Sequence, residues 1–466
     1  MHGSRHIRQS RVPLSRWPGR CRALRASAVL AALAFAGCAT YEPVPLPSRP
    51  PPDPAPADLA DAGSRLDRPW SAPIRIDLSQ PLSPVQLGVI AVIANPDLRA
   101  LRAQARVAEA QALAAGLLPD PQFSFSTDRP ASDPGLVDAL AAGLGMDTST
   151  FYTRPVAQRV ARATLQQVRL DLAWQEWQVA GQARVLAARV AGLNTVERLA
   201  RSAARAVDDV LDRALRAVAR GDLPAGDLEA RRIAAADAED RARTAERDLR
   251  AAQLELNGLL GLSPEAALML SAAPRESRAA PEARTVVERA YDQRLDLAAL
   301  RAAYEGQEAS VKLAVLEQYP RLSLSLNAAR DTGAVRTNGI AVGFDLPLWN
   351  RSRGAIAVQK ATRSQLGAEY EARLFATRMD ITALIEAYVI GVRQRDELDA
   401  QVAPLRVTVA GFERAEERGD IARAAAETAR QALIDKEIAL AILDQALAEQ
   451  WVALEMASGA LIGDSK

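Results

Sequence analysis

Apolar residues recur at intervals of three and four along two very long stretches of the chain, which predicts long amphipathic helices. The first stretch covers residues 155–220, and its seam of leucine, valine and alanine is narrow, as in a coiled coil. At 1.5 Å per residue, such a helix would extend for about 100 Å. The second stretch covers residues 351–418 and contains Pro404, where we predict a kink.

Both long stretches end at a glycine followed by an aspartate, Gly221-Asp222 and Gly419-Asp420. Glycine has the backbone freedom that a tight reversal needs. Asp222 and Asp420 are predicted to be the N-caps of returning helices at about 222–256 and 421–461. The pattern therefore predicts two long helical hairpins.

Apolar and small polar residues alternate in shorter segments, which predicts β-strands. We place these strands at about 122–127, 143–152, 321–329 and 338–346. Aspartate, proline and glycine residues typical of turns lie between the paired strands. A helix at about 83–118 is predicted ahead of the first strand.

The chain contains an internal repeat at a distance of 199 positions. Asn95-Pro96-Asp97-Leu98 corresponds to Arg294-Leu295-Asp296-Leu297, and Pro121 corresponds to Pro320. Each copy has the order helix, two strands, long helix, tight break and returning helix. We predict a first copy at 84–270 and a second at 271–466, so the architecture is a duplication.

Helices of this length with a narrow apolar seam need neighbours along their whole length, which predicts a bundle or a tube. Four strands cannot close a membrane barrel, because the open edges would leave backbone groups unpaired in lipid. Association of several chains removes those edges. We therefore predict a mainly α fold with membrane β-strands, in an oligomer that shares one barrel.

The first residues predict a lipoprotein signal peptide at 1–37. Seven arginines precede a short apolar run that ends in Phe35-Ala36-Gly37-Cys38, which resembles a bacterial lipobox. Cys38 is then the lipidated residue, and Ala39 after it favours the outer membrane; the alternative is a plain signal peptide cut near Cys38. Residues 38–83 begin with many prolines and predict an extended tether.

The composition excludes most kinds of catalytic site, metal site and disulfide. The histidines are His2 and His6 and the cysteines are Cys21 and Cys38, so removal of residues 1–37 leaves no histidine and one cysteine. Disulfides within one mature chain, histidine-dependent catalysis and histidine metal sites are then excluded. The net charge of +1 gives no nucleic-acid footprint. We predict no enzyme activity, no cofactor and no metal site.

These motifs together resemble the TolC-like outer membrane efflux protein family, and in particular its lipoprotein members. The resemblance covers about 84–462 and depends on the duplicated segments at 95–98 and 294–297, the segment 344–351 ahead of the second long helix, and Gly221 and Gly419. It implies a homotrimer with a 12-stranded β-barrel continued by an α-helical barrel. It also implies a periplasmic adaptor protein and an inner-membrane pump of the resistance-nodulation-division type as partners.

The function implied by the resemblance is that of the exit duct of a tripartite efflux pump, anchored in the lipid of the outer membrane and extending into the periplasm. The alternative is a periplasmic coiled-coil lipoprotein, structural or adaptor, without a pore. That alternative predicts one hairpin and no lipid-facing strands.

Candidate functional residues follow from the same resemblance. The helix breaks would form the periplasmic tip, which acts as a gate and docks the adaptor, and its residues are Gly221, Asp222, Asp227, Gly419 and Asp420. For Asp222 and Asp420, helix capping is the alternative role. In a trimer these carboxylates would form acidic rings that favour cations.

Aromatic residues are candidates for the membrane region. Phe151, Tyr152 and Trp349 are predicted interfacial anchors at strand ends, and Phe123 and Phe125 are predicted to face lipid. Trp174 and Trp177, on the long helix, are predicted to be packing residues.

Overall fold

The computed structural model describes residues 41–49, 51–68, 70–131, 135–224, 226–271, 278–345, 347–421 and 423–462. The predicted signal peptide and Cys38 lie outside these residues. The chain divides into two units, Met1–Pro52 and Asp53–Lys466. The described part of the first unit, from Tyr41 onwards, contains no helix or strand.

The second unit contains, in its described residues, nine helices and four strands. Their bounds are α1 Pro56–Arg65, α2 Pro84–Ala94, α3 Pro96–Ala114, β1 Gln122–Asp128, β2 Ala139–Asp147, α4 Thr150–Ala219, α5 Asp227–Leu259, α6 Ala283–Gln293, α7 Leu295–Leu316, β3 Leu322–Arg330, β4 Arg336–Phe344, α8 Arg353–Glu417 and α9 Arg423–Ser458.

The helix predicted ahead of the first strand is in fact two helices, α2 and α3. Asn95 separates them because a residue before proline is pushed out of the helical region, and its ψ is 127°. The Asn95 side chain accepts a hydrogen bond from the Leu98 amide at 2.9 Å and so caps α3. The second copy has the same break at Arg294, between α6 and α7.

The two long helices are present as predicted. The first, α4, has 70 residues and begins at Thr150, ahead of Pro155. The second, α8, has 65 residues and continues through Pro404, so this proline does not end it. The returning helices α5 and α9 begin later than predicted, at Asp227 and Arg423.

The strands form one antiparallel sheet in the order β1-β2-β3-β4. Each copy supplies one β-hairpin, and β2 pairs with β3 to join the copies, with Leu144 opposite Leu326. The second strand was predicted at 143–152 and lies instead at 139–147. This error arose because Ala139 to Gly145 is rich in alanine and glycine, which have low strand propensity, although the close packing of this strand requires small residues.

The main core lies where α2 packs against α4 and α5. Ile90, Leu186 and Leu256 are all buried there. In the second copy, Val286, Ile381 and Leu454 form the corresponding cluster between α6, α8 and α9.

The segment Asp53 to Leu82, which we call the N-terminal strap, packs against this main core. Leu59 of α1 is fully buried, which stabilises the fold by about 2 kcal/mol. Leu82 forms a parallel bridge with Leu270. The prediction of an extended tether was therefore wrong for this segment, because its apolar side chains are buried.

Among the described residues, no helix has a stretch long and apolar enough to cross a lipid bilayer.

Candidate functional site at the sheet and the helix tips

One face of the sheet carries apolar side chains in every strand, with polar side chains, two arginines among them, only towards the hairpin turns. Because cross-strand partners point to the same face, the register places Phe123, Leu144, Leu326 and Ile340 in one row across it. These side chains are exposed, to 71% for Phe123 and 72% for Ile340. An apolar face of this size on a single chain marks a surface that another apolar phase or molecule covers.

The opposite face of the sheet carries small and polar residues. Ser124, Gly143 and Asn327 share a row on that face. A Cβ on Gly143 would lie 2.7 Å from the Ser124 hydroxyl oxygen and 2.8 Å from the Asn327 side-chain oxygen. This face is therefore closely packed within the sheet and suited to contact with water.

The sheet ends in strands β1 and β4, each of which has a partner strand on one side only in the described part of the chain. Unpaired edges of this kind invite pairing with another chain. The sheet therefore supplies an amphipathic wall with two free edges.

The predicted aromatic anchors are placed at the end of the sheet that adjoins the helices. Phe151 and Tyr152 lie in the first turn of α4 and not in a strand, because β2 ends at Asp147. Trp349 follows β4 and is 94% exposed. Trp177 is buried and donates a hydrogen bond to the Met456 carbonyl oxygen, in agreement with its predicted packing role.

The breaks at the far ends of the long helices have the same geometry in both copies. Gly221 and Gly419 have φ values of +80° and +77°. The Asp222 amide donates to the Ala217 carbonyl oxygen, and the Asp420 amide donates to that of Ala415. Both helices thus end in a Schellman motif, which needs glycine in the left-handed region.

The aspartates after these glycines do not cap the returning helices. The N-cap of α5 is Gly226, and α9 begins at Arg423, so both aspartates lie too far from the helix starts. The prediction of N-capping was therefore wrong, because several residues of turn separate each Schellman motif from the next helix. The side chain of Asp227 lies outside the described part of the structure.

Each of these aspartates instead pairs with an arginine that the sequence analysis missed. Arg220 donates to the Asp222 carboxylate at 2.9 Å, and Arg418 donates to the Asp420 carboxylate at 2.8 Å. All four side chains are more than half exposed. The repeated triplet Arg-Gly-Asp in the sequence was the signal that could have revealed both pairs.

Charged side chains connect the helices of the two copies. Arg189 of α4 donates to both Glu449 carboxylate oxygens of α9 at 3.2 Å, and this hydrogen bonding raises the pKa of the Arg189 guanidinium. Arg184 of α4 also pairs with the buried Glu455 of α9. These pairs hold the two long hairpins side by side.

A further buried carboxylate, Glu176 of α4, was also missed by the sequence analysis. Arg68 of the N-terminal strap and Arg102 of α3 donate to its carboxylate at 2.8 Å and 2.7 Å. In the part of the chain that the structure describes, no group of three or more His, Cys, Asp and Glu side chains is arranged to hold a metal ion.

Comparison with solved structures places this architecture among known channels. CusC, which forms a transmembrane channel, superposes with a TM-score of 0.67 at 14% identity, over 81% of this chain and 92% of that one. The CmeC outer membrane channel of Campylobacter jejuni superposes with a TM-score of 0.69 at 15% identity, over 82% and 87% of the two chains. VceC of Vibrio cholerae gives 0.66 at 17% identity, over 82% and 97%.

The chain has the fold of the TolC-like outer membrane efflux channels. The predicted fold class is thereby confirmed, and closure of the barrel stays a prediction. No protein-family model matches the chain.

One curated relative is similar in sequence. The cobalt-zinc-cadmium resistance protein CzcC of Cupriavidus metallidurans is 35% identical over 159 residues, which are 33% of this chain and 37% of that protein. The chain thus matches little more than a third of that relative's length.

Proposed function

We propose that this chain is the outer-membrane exit duct of a tripartite efflux system, a passive export channel without an enzymatic reaction. The observation that carries the proposal is the sheet, which has one apolar face, one small and polar face, and two free edges. Pairing of those edges between copies gives a closed barrel with lipid outside and water inside. CmeC is described as an outer membrane channel, VceC as an outer membrane protein and CusC as forming a transmembrane channel, which supports the same role.

We propose a homotrimer, following the family resemblance. In that assembly the long hairpins α4–α5 and α8–α9 form a tube that continues the barrel into the periplasm. The length of α4, about 105 Å at 1.5 Å per residue, suits such a tube. A coiled-coil lipoprotein without a pore gives no account of the amphipathic sheet.

The first experiment tests pore formation. We expect the purified full-length protein to run as a detergent-resistant trimer that dissociates on heating, and to give discrete conductance steps in a planar bilayer. Monomeric protein without conductance would contradict the proposal.

We further propose that the turns around Gly221 and Gly419 form the periplasmic tip, which constricts the duct and docks a periplasmic adaptor bound to an inner-membrane pump of the resistance-nodulation-division type. Both turns are exposed and lie at the ends of the hairpins farthest from the sheet. Arg220 and Arg418 pair with the exposed carboxylates of Asp222 and Asp420, so in a trimer each ring of these aspartates would be accompanied by a ring of arginines.

The second experiment tests the tip. We expect Asp227→Asn combined with Asp420→Asn to lower the cation preference of single channels, because it removes two carboxylates from every copy in the ring. The matched control is Asp237→Asn, an exposed carboxylate on α5 about 15 Å from Asp227 along the helix. Unchanged selectivity in the double variant would disprove the acidic ring and leave pore formation untouched.

A further inference from the structure

The turn between β4 and α8 exposes apolar side chains beside the sheet. Leu348 is 60% exposed and Trp349 is 94% exposed. They follow Phe344, the last residue of β4, whose side chain belongs to the apolar face. The apolar face thus continues beyond the end of the strand.

Two arginines follow directly, Arg351 in the same turn and Arg353 as the first residue of α8. Arg351 and Arg353 are exposed, and neither has an ion pair with a carboxylate in the described part of the chain. Tryptophan next to unpaired arginines is a combination suited to the boundary between hydrocarbon and charged headgroups.

The backbone of this turn is held in an unusual conformation. Arg351 and Ser352 have φ values of +45° and +52°, which are unfavourable for residues with a Cβ. The Ser352 hydroxyl donates to the Glu317 carbonyl oxygen at 3.1 Å, and the Arg353 amide donates to the Asn350 carbonyl oxygen at 3.0 Å. The first bond ties the turn to the end of α7, and the second closes the turn at the start of α8.

The surrounding chain is basic. At the end of the sheet that adjoins the helices, the residues 115–121, 147–162, 312–321 and 345–360 contain eight basic and four acidic side chains. The whole chain has a net charge of only +1. An excess of positive charge is therefore concentrated in these four segments.

We propose that Trp349, Arg351 and Arg353 form a docking surface for anionic phospholipids of the bilayer leaflet next to the helical part of the protein. This inference rests on the proposed function, since it takes the apolar face of the sheet to lie in lipid. Arginine binds phosphate oxygens through paired N–H groups, and the indole ring occupies the level of the headgroups. Continuity with the apolar face favours a lipid surface over a soluble protein partner.

The test measures lipid retention by the full-length protein. Purified protein in detergent is incubated separately with phosphatidylglycerol and with phosphatidylcholine, and bound lipid is counted by native mass spectrometry. We expect the wild type to retain phosphatidylglycerol in preference to phosphatidylcholine. In the variant Arg351→Gln/Arg353→Gln, we expect affinity for phosphatidylglycerol to fall about ten- to thirty-fold, as the loss of two basic residues near an anionic surface predicts.

The matched control is Arg205→Gln/Arg393→Gln, which also removes two exposed arginines, one from α4 and one from α8, both far from the sheet. The control is expected to retain phosphatidylglycerol as the wild type does. Equal retention by the Arg351/Arg353 variant, an equal loss in the control, or no lipid preference in the wild type would each overturn the inference. Conductance of the wild type in a planar bilayer separates these results from a failure of the proposed function.

Discussion

Removal of the buried charge of Glu176 gives the most specific prediction for the architecture. This carboxylate is 4% exposed and joins three elements, because α4 carries it while Arg68 of the N-terminal strap and Arg102 of α3 bind it. The substitution Glu176→Gln keeps the size of the side chain and removes its charge. The amide oxygen still accepts a hydrogen bond from one guanidinium, but more weakly, whereas the amide NH2 group can only donate, so the contact with the other guanidinium is lost.

The magnitude follows from the two contacts. A hydrogen bond to a charged group contributes about 1.5–3 kcal/mol. Because the arginine side chains are 36% and 31% exposed, water partly replaces the lost partner, and we reduce the contribution to about 1–2 kcal/mol per contact. Of the two arginine contacts of Glu176, opening of the strap breaks only the one with Arg68. The free energy of that local opening should therefore fall by about 1–2 kcal/mol, which corresponds to an increase of about 5- to 30-fold in the open population.

Hydrogen–deuterium exchange of peptides from residues 53–82 measures that opening directly. We expect their exchange to accelerate about 5- to 30-fold in Glu176→Gln, while peptides from the tips of the hairpins exchange as in the wild type. The control is Glu109→Gln, which removes an exposed pair between the same helices, α3 and α4, at 2.7 Å from Arg169. Strap exchange within about two-fold of wild type in Glu176→Gln, or an equal increase in Glu109→Gln, would refute the reasoning, since exposed pairs contribute at most about 1 kcal/mol.

Two further predictions concern glycines. Gly221→Ala and Gly419→Ala should each destabilise the tip by about 1 kcal/mol and accelerate amide exchange there, because alanine disfavours a positive φ; Gly226→Ala, at φ −62°, should leave exchange unchanged. Gly143→Val should lower the yield of heat-modifiable oligomer, because even its Cβ would lie 2.7 Å from a serine hydroxyl oxygen of β1. Gly339→Val, on the same face with open space around it, should assemble normally, and equal yields from both variants would argue against close packing of this face.

Much of the fold was accessible from the sequence because its patterns are local and repeated. The three-and-four spacing predicted α4 and α8, and the duplicated Gly-Asp pairs predicted where each would end. Alternation of phenylalanine with serine predicted β1 at nearly its observed bounds. These features depend on backbone geometry within a few residues, so the chain itself specifies them.

The errors arose where packing outweighed local propensity. The strand β2 consists largely of alanine, leucine and glycine, and only its position between β1 and β3 makes small residues necessary. The turn after Gly221 is long enough that Asp222 turns back towards Arg220 and does not reach α5. Sequence spacing alone did not show whether Asp222 would pair with Arg220 or cap the start of α5.

The sequence by itself determined the periodic elements and their duplication. Only the tertiary structure decided which residues meet across large distances along the chain. It brings Arg68, Arg102 and Glu176 together and packs Leu59 of the strap into the core. The physical reason is that burial and ion pairing depend on the surroundings that the whole fold creates, whereas helix and strand periodicity depends on the backbone alone.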